Sequence, residues 1–209
     1  MSAILKTLNF VERAVESPRD DEYAIAISNV YQTDIDDLWD ACTNQERLPR
    51  WFAPVTGDLT LGGSYQIEGN ASGTIETCDP PHSFTATWEF GEGFSRIDVR
   101  LVEEEGGTRL TLRHIAAYDE HWNKYGPASG GVGWDLAMLG MNLYLDESLQ
   151  GGLPTDNVEE WFATDDAKAF MAHSAELWKR AHVESGADEE TAAAMANRTL
   201  AFYTGAETE

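Results

Sequence analysis

The sequence is poor in cysteine and contains no long apolar run. Its 209 residues include two cysteines, Cys42 and Cys78, and without a secretion signal we expect both to be buried free thiols. No run reaches the roughly 18 apolar residues of a transmembrane helix, so we expect no membrane span. The first 22 residues carry too much charge for a signal peptide. We therefore expect a cytoplasmic protein.

Basic side chains are also scarce. The chain has 14 Lys and Arg against 37 Asp and Glu, which gives a formal net charge of −23. Nucleic acids and anionic membranes both require a basic face, so we expect neither as a partner. Acidity of this kind is more typical of general solubility than of a dedicated acidic site. The composition leaves the oligomeric state open, a homodimer included.

The familiar catalytic motifs are missing too. The sequence has no nucleophile elbow, P-loop, dinucleotide-binding glycine motif or HExxH helix, and no pair of Cys and His at zinc spacing. The aspartates between residues 34 and 40 fall on one predicted helix. The helix dipole and solvent explain them better there than a metal does. We expect no metal and no cofactor.

Much of the chain shows the alternation typical of strands. Residues 1–22 are expected to form a mobile or loosely docked lead-in. A strand follows at 23–31, and then an amphipathic helix that begins at an N-cap signal around Asp34. Six more strands are predicted, at 59–61, 64–68, 71–78, 83–90, 95–103 and 108–116. The short loops between them predict a seven-stranded antiparallel sheet.

The stretch at 133–150 predicts a long helix that is apolar on two sides. At about 100° per residue its faces are Trp134, Ala137, Met138, Met141 and Leu145 on one side, and Leu136, Leu139 and Leu143 on the other. A helix of this kind needs two packing partners. The first face is expected to cover the sheet, which makes the fold α+β. The second is expected to meet a helical hairpin predicted at 153–209, with Gly140 allowing close approach.

Several strings of the sequence, in the correct order, resemble a known family. They are Glu46-Arg47-Leu48-Pro49-Arg50-Trp51-Phe52-Ala53-Pro54, Gly57-Asp58-Leu59 with Gly62-Gly63-Ser64-Tyr65, Asp79-Pro80-Pro81 with Thr87-Trp88-Glu89, Thr108-Arg109-Leu110-Thr111-Leu112 with His114, and Gly133-Trp134 with Leu136 and Leu139. Together they resemble the activator-of-heat-shock-protein-ATPase-homologue-like (AHSA) branch of the SRPBCC, or START-like, superfamily over residues 23–149. The resemblance implies a helix-grip fold, in which a seven-stranded sheet grips the long helix around a cavity. The chain would then comprise the lead-in at 1–22, a helix-grip domain at 23–152 and a docked hairpin at 153–209.

The resemblance places a ligand in the cavity between sheet and helix. The predicted ligand-binding residues are Trp51, Tyr65, Trp88, Val99, Leu112, His114, Trp122, Trp134, Met138 and Met141. Trp88 and Trp134 either line a pocket or pack the core, and Trp51 either gates the cavity or covers the first helix. The aromatic loop at 117–132 is either a lid or a surface loop, and the glycines at 130–133 are its predicted hinge.

His114 is the one titratable side chain expected on the inner face of the sheet. It is either a polar group that serves ligand or catalysis near neutral pH, or a hydrogen-bonded core histidine. Because no catalytic constellation accompanies it, we expect a protein that binds a small hydrophobic or aromatic molecule. One alternative is an enzyme of the polyketide-cyclase or hydrolase type with His114 as proton shuttle. The other is a co-chaperone-like interaction protein.

Overall fold

An antiparallel sheet of eight strands forms the framework of the protein. The computed structural model describes residues 3–146 and 158–205. The strands are β1 (Glu12–Arg19), β2 (Glu22–Tyr31), β3 (Val55–Gly57), β4 (Ser64–Ile67), β5 (Ser72–Asp79), β6 (Ser83–Phe90), β7 (Gly93–Glu104) and β8 (Gly107–Ala117). Their order in the sheet is β1-β2-β8-β7-β6-β5-β4-β3. The first hairpin therefore closes onto the last strand of a meander.

Helices cover one face of this sheet. They are α1 (Ala3–Thr7), α2 (Ile35–Thr43), α3 (Glu120–Tyr125), α4 (Ala128–Leu145), α5 (Val158–Phe162), α6 (Asp165–Glu184) and α7 (Glu189–Thr204), with 3-10 turns at Leu8–Phe10 and Leu48–Arg50. The long helix α4 packs against β2, and α2 packs against β7 and β8. The fold is the predicted α+β helix-grip arrangement, with one strand more than expected. None of the described helices has both the length and the apolar character needed to cross a bilayer.

The N-terminal segment belongs to the sheet, which corrects the expectation of a mobile or loosely docked lead-in. β1 pairs with β2 along most of its length, with Val15 opposite Ile25. Before the strand, Ile4, Leu8 and Val11 are buried. These residues add apolar surface to the core and hold the segment against the domain.

The outer face of β1 explains why the sequence suggested a loop. Glu12 forms an ion pair with Arg109 of β8 at 3.0 Å, and Glu16 forms one with Arg113 of the same strand. Cross-strand pairs of opposite charge are favourable neighbours on an exposed sheet face. A strand that carries them has the composition of a charged linker, so its alternation is hard to recognise.

The strand predicted at 59–61 is not formed. Instead β3 lies at Val55–Gly57 and pairs with β4, with Val55 opposite Ile67. The Asp58 carboxylate accepts hydrogen bonds from the Thr60 backbone N–H at 3.1 Å and from its hydroxyl at 2.8 Å. Such an Asx turn favours a bend over an extended strand, which is why the leucines around Thr60 leave the sheet.

The glycine-rich stretch at 130–133 lies inside α4 and is not the predicted hinge. α4 begins at Ala128, five residues earlier than expected, while residues 147–150 of the predicted helix lie outside the described residues. Gly131 faces α6 closely, because a Cβ there would lie 2.3 Å from Cε2 of Trp178. The glycine therefore allows two helices to approach each other, and its lack of a side chain serves packing.

The C-terminal helices form the predicted hairpin against α4. α6 follows the N-cap Thr164, whose hydroxyl accepts from the Ala167 N–H at 3.2 Å, and α7 follows the N-cap Asp188. α6 packs against α4, α7 and β1. Phe202 of α7 is 61% exposed. The proposed domain boundary at 152–153 lies outside the described residues.

The contacts of the hairpin with α4 lie in the first half of that helix. The Tyr203 hydroxyl donates to the Ser129 carbonyl at 2.8 Å, and the Trp178 indole N–H donates to Asp135 at 3.0 Å. Leu139 is buried, as expected for the second apolar face. The role of that face as the docking surface of the hairpin stays a prediction.

Candidate ligand-binding cavity

α4, α2 and the inner face of the sheet leave a space between them. This cavity has a volume of about 130 Å³. The described residues that line it have apolar, aromatic, thiol or hydroxyl side chains, and none of them carries a formal charge at neutral pH. Such an interior suits groups that lose little by leaving water.

The structure brings eight of the ten predicted site residues to this cavity. They are Trp51, Tyr65, Trp88, Val99, Leu112, Trp134, Met138 and Met141. Alternate residues of a strand lie on one face of the sheet, and residues at helical spacing lie on one face of a helix. The same rules, applied to the sequence, predicted these side chains. Only His114 and Trp122 of the predicted set do not line it.

One face of α4 forms the helical wall. Trp134, Ala137, Met138 and Met141 line the cavity at helical spacing. The sulfur of Met138 accepts a hydrogen bond from the Tyr31 hydroxyl of β2 at 3.1 Å. The wall is therefore built from polarisable, deformable side chains next to a rigid indole.

A short stretch at 48–54, here called the cover segment, lines the cavity between α2 and α4 with Leu48, Trp51 and Phe52. The Trp51 indole N–H donates to the Ala41 carbonyl at 2.9 Å, so Trp51 both lines the cavity and covers α2. A Cβ on Gly140 would lie 2.1 Å from the Trp51 carbonyl oxygen. Gly140 thus admits the cover segment, which corrects the expectation that it admits the C-terminal hairpin.

Arg47 holds the start of the cover segment against both helices. Its Nε donates to the Tyr144 hydroxyl of α4 at 2.8 Å. Its Nη1 donates to Asp37 at 2.8 Å and to Asp40 at 3.0 Å on α2. Two of the aspartates clustered between residues 34 and 40 therefore bind an arginine. Within the described residues, no group of three or more metal-ligating side chains is placed to hold an ion.

Aromatic rings meet at one end of the cavity. The rings of Phe52 and Trp134 lie within 10° of parallel, with centroids 6.4 Å apart, and the Trp88 ring lies 5.1 Å from Trp134. Phe52 is a lining residue that the site prediction missed, although it adjoins Trp51 in the string that carries the resemblance. Rings at these separations attract one another and attract a further ring.

His114 lies beside this aromatic end, with both ring nitrogens engaged. Its Nδ1 accepts from the Trp134 indole N–H at 3.1 Å, and its Nε2 is 2.7 Å from the Ser95 hydroxyl. Burial lowers the pKa of His114 from 6.5 to about 4, because the charged form would lose its hydration. The side chain is a neutral, hydrogen-bonded core histidine, and neither nitrogen is free to act as a general base.

Trp122, also predicted to bind the ligand, lies away from this cavity. It belongs to α3, where its ring stacks on Tyr23 with centroids 3.8 Å apart and meets the edge of His182 at 5.5 Å. α7 reinforces this arrangement, since the Thr199 hydroxyl donates to the Tyr125 carbonyl at 2.9 Å. The predicted lid at 117–132 is thus a helical segment fixed by the C-terminal helices.

Two polar groups in the cavity wall, the Cys42 thiol and the Tyr65 hydroxyl, stay protonated at neutral pH. Burial raises the pKa of the Cys42 thiol to about 12, and burial raises the pKa of Tyr65 to about 12. The Tyr65 hydroxyl donates to the Thr87 carbonyl at 2.6 Å. These groups can accept or donate a hydrogen bond, but they supply no thiolate or phenolate for nucleophilic chemistry.

Comparison with known proteins identifies the family. Residues 32–149 match the family described as activator of Hsp90 ATPase homolog 1-like protein. This stretch is more than half of the chain. The protein belongs to that family. None of the functionally curated proteins is significantly similar to it.

Solved structures extend the likeness beyond the matched stretch. The solution structure of CalU16 from Micromonospora echinospora is similar at 33% identity, with a TM-score of 0.65, over 84% of this chain and 97% of that chain. The crystal structure of CalU16 aligns at 27% identity, with a TM-score of 0.65, over 82% of this chain and 97% of that chain. A protein of unknown function from Enterococcus faecalis, EF2215, shares the fold at 11% identity, with a TM-score of 0.59, over 85% of this chain and 95% of that chain.

Proposed function

We propose that the protein binds a small, neutral molecule, aromatic or otherwise hydrophobic, in the cavity between the sheet and α4. The observation that carries this proposal is the cavity of about 130 Å³ whose described lining is uncharged. Family membership supports the helix-grip geometry around it. The division into a helix-grip domain that ends at 152 and a hairpin at 153–209 is part of the same proposal, with the segment at 1–22 contributing β1 to the sheet of the domain.

The size of the cavity limits the ligand. A dry apolar cavity of about 150 Å³ accommodates benzene, so about 130 Å³ suits a small aromatic molecule of about one ring or two compact fused rings. Burying an ion here without a countercharge would cost several kcal/mol. The ligand is therefore uncharged when bound, and its ring packs at the end formed by Phe52, Trp88 and Trp134.

Binding is favoured over catalysis by the state of the polar groups. The enzyme alternative assigns a proton-shuttle role to His114, but both of its nitrogens are held by Trp134 and Ser95. The Cys42 thiol in the lining is protonated at neutral pH, so it is not a ready nucleophile. The co-chaperone alternative is supported by the family description alone, so we do not propose it.

Calorimetric titration tests the proposed function. Toluene and indole should bind the protein saturably at one site, whereas benzoate, which has the same ring with a charge, should bind far more weakly. The variant Ala137→Leu fills the cavity from α4 and should abolish binding. Ala169→Leu adds the same volume at an exposed position of α6 and should bind like the wild type. Equal affinity of Ala137→Leu and wild type would place the ligand elsewhere.

A further inference from the structure

A chain of three hydrogen bonds runs behind the cavity wall. The Trp134 indole N–H donates to Nδ1 of His114 at 3.1 Å. Nε2 of His114 lies 2.7 Å from Oγ of Ser95. The Ser95 hydroxyl in turn donates to the Trp88 carbonyl at 3.0 Å. Both ends of this chain, Trp88 and Trp134, line the cavity, while His114 does not.

The chain has one consistent direction. An indole N–H can only donate, so Nδ1 of His114 must accept and carries no proton. The proton of the neutral ring is then on Nε2, which donates to the Ser95 oxygen. That leaves the Ser95 proton for the Trp88 carbonyl. Every donor in the chain has an acceptor, and the network assigns the tautomer.

The orientation of Trp134 depends on this acceptor. Trp134 is 7% exposed, so its N–H cannot exchange His114 for bulk water without moving. A buried donor that loses its partner is destabilised by about 1–3 kcal/mol. The indole would therefore turn away from its present position, and it would disturb its contacts with Trp88 and Phe52 at the aromatic end of the cavity.

We propose that His114 is a positioning residue of the ligand site: it fixes the Trp134 indole as a wall of the cavity and so sets the affinity for an aromatic ligand that it does not touch. This inference rests on the proposed function, because it concerns the same cavity. It assigns the imidazole a role that neither an inert core residue nor a general base would have.

The same geometry makes the site sensitive to acid. A second proton on His114 can only go to Nδ1, where it would point at the Trp134 N–H. The neighbours of His114 in the sheet are Ile25 on β2 and Ile97 on β7. Asp135, the charged residue next to Trp134 on α4, is engaged by Arg13 of β1.

Among the described residues, the hydrogen-bond partners of the ring are Ser95 and Trp134 and its cross-strand partners are Ile25 and Ile97, all of them uncharged. Burial lowers the pKa of His114 to about 4. Affinity should be constant around neutral pH and should fall as the pH approaches 4, because the neutral form is the one that accepts from Trp134.

Two substitutions of His114 separate positioning from packing. His114→Phe keeps a ring but has no acceptor, whereas His114→Asn places an amide oxygen near the position of Nδ1. Indole titrated into each variant at pH 7 should bind on the order of tenfold more weakly to His114→Phe, as expected for one lost hydrogen bond. His114→Asn should bind within about threefold of the wild type. The acid-dependent loss of affinity should be present in the wild type and absent in His114→Asn.

A double-mutant cycle distinguishes the positioning role of His114 from a general loss of structure in the variant. In a Trp134→Phe background the indole N–H is gone, so His114→Phe should cause no further loss of affinity. An equal loss in both backgrounds, or wild-type affinity in His114→Phe, would overturn the positioning role while leaving the cavity as the ligand site. If wild-type protein binds neither toluene nor indole, the proposed function fails and this inference fails with it.

Discussion

Arg13 of β1 and Asp135 of α4 form an ion pair in the interior, where their side chains are 5% and 0% exposed. Nε of Arg13 donates to Oδ2 of Asp135 at 3.1 Å. The same carboxylate oxygen accepts from the Ser174 hydroxyl at 2.6 Å and from the Trp178 indole N–H at 3.0 Å. One carboxylate thus joins the first strand, the long helix and α6.

Removing the positive partner should strongly destabilise the fold. In Arg13→Met the Asp135 carboxylate remains buried without its countercharge, which typically lowers the free energy of unfolding by about 3–5 kcal/mol. Urea denaturation measures this loss. Arg19→Met is the matched control, because Arg19 is 69% exposed and its pair with Glu22 is long, at 3.6 Å. A loss as small as that of the control would show that the buried pair contributes little.

Two glycines of α4 should respond oppositely to the same change. Gly131→Ala places a Cβ 2.3 Å from Cε2 of the fully buried Trp178, and such overpacking typically lowers stability by about 1–3 kcal/mol. At Gly133 the nearest atom to a new Cβ, the Tyr203 hydroxyl oxygen, is 3.6 Å away. Gly133→Ala should therefore raise stability by up to about 1 kcal/mol. Thermal unfolding of both variants decides between this packing role and the hinge that the sequence suggested.

Stability should fall on mild acidification because of His114. Its pKa is lowered from 6.5 to about 4 in the folded state, so the unfolded chain binds a proton first as the pH decreases. The stabilisation that comes from keeping His114 neutral is fully present above about pH 6.5 and is lost as the pH falls towards 4. At about 1.4 kcal/mol per pH unit it reaches about 3 kcal/mol. His114→Asn removes this dependence.

The carboxylates also contribute to the pH dependence, and so does His182, whose pKa is lowered by burial. These groups are the same in the wild type and in His114→Asn. Urea denaturation of the wild type and of His114→Asn at pH 7.0 and at pH 4.5 therefore isolates the contribution of His114. Parallel pH dependences would show that the imidazole is not held neutral.

The Cys42 thiol should react slowly in the folded protein. Burial raises its pKa to about 12, so at pH 8 its thiolate fraction is on the order of a thousandfold below that of an ordinary cysteine. Mass spectrometry after iodoacetamide treatment of Cys78→Ser, which leaves Cys42 as the single thiol, follows this rate. Labelling should become fast in urea. Equally fast labelling in native buffer would mean that the cavity wall opens readily to solvent.

Local periodicity was sufficient to predict several residues of the cavity wall. Trp88 and Val99 follow from alternation within β6 and β7, and Trp134, Met138 and Met141 follow from the helical period. Each of these assignments needs only the neighbouring residues in the chain. The family resemblance added the prediction that the sheet and the long helix enclose a cavity between them.

Contacts between distant residues could not be predicted in this way. Glu12 and Glu16 pair with Arg109 and Arg113, which lie far away in the sequence. The local sequence does not show these partners, so the segment was predicted to be a mobile lead-in. Trp122 is aromatic and follows the last strand, but its partner His182 lies sixty residues later. The signal that could have placed it is the amphipathic hairpin, whose helices require an apolar surface to cover.

Asp135 lies within the family match at 32–149, whereas Arg13, Ser174 and Trp178 lie outside it. A homologue that lost either flanking segment would retain an interior carboxylate with fewer donors, so selection should replace it. We expect the aspartate, the first strand and the long C-terminal helix to be inherited or lost together. The amino acid found at this position in an alignment would then distinguish family members with the extended architecture from those with the minimal one.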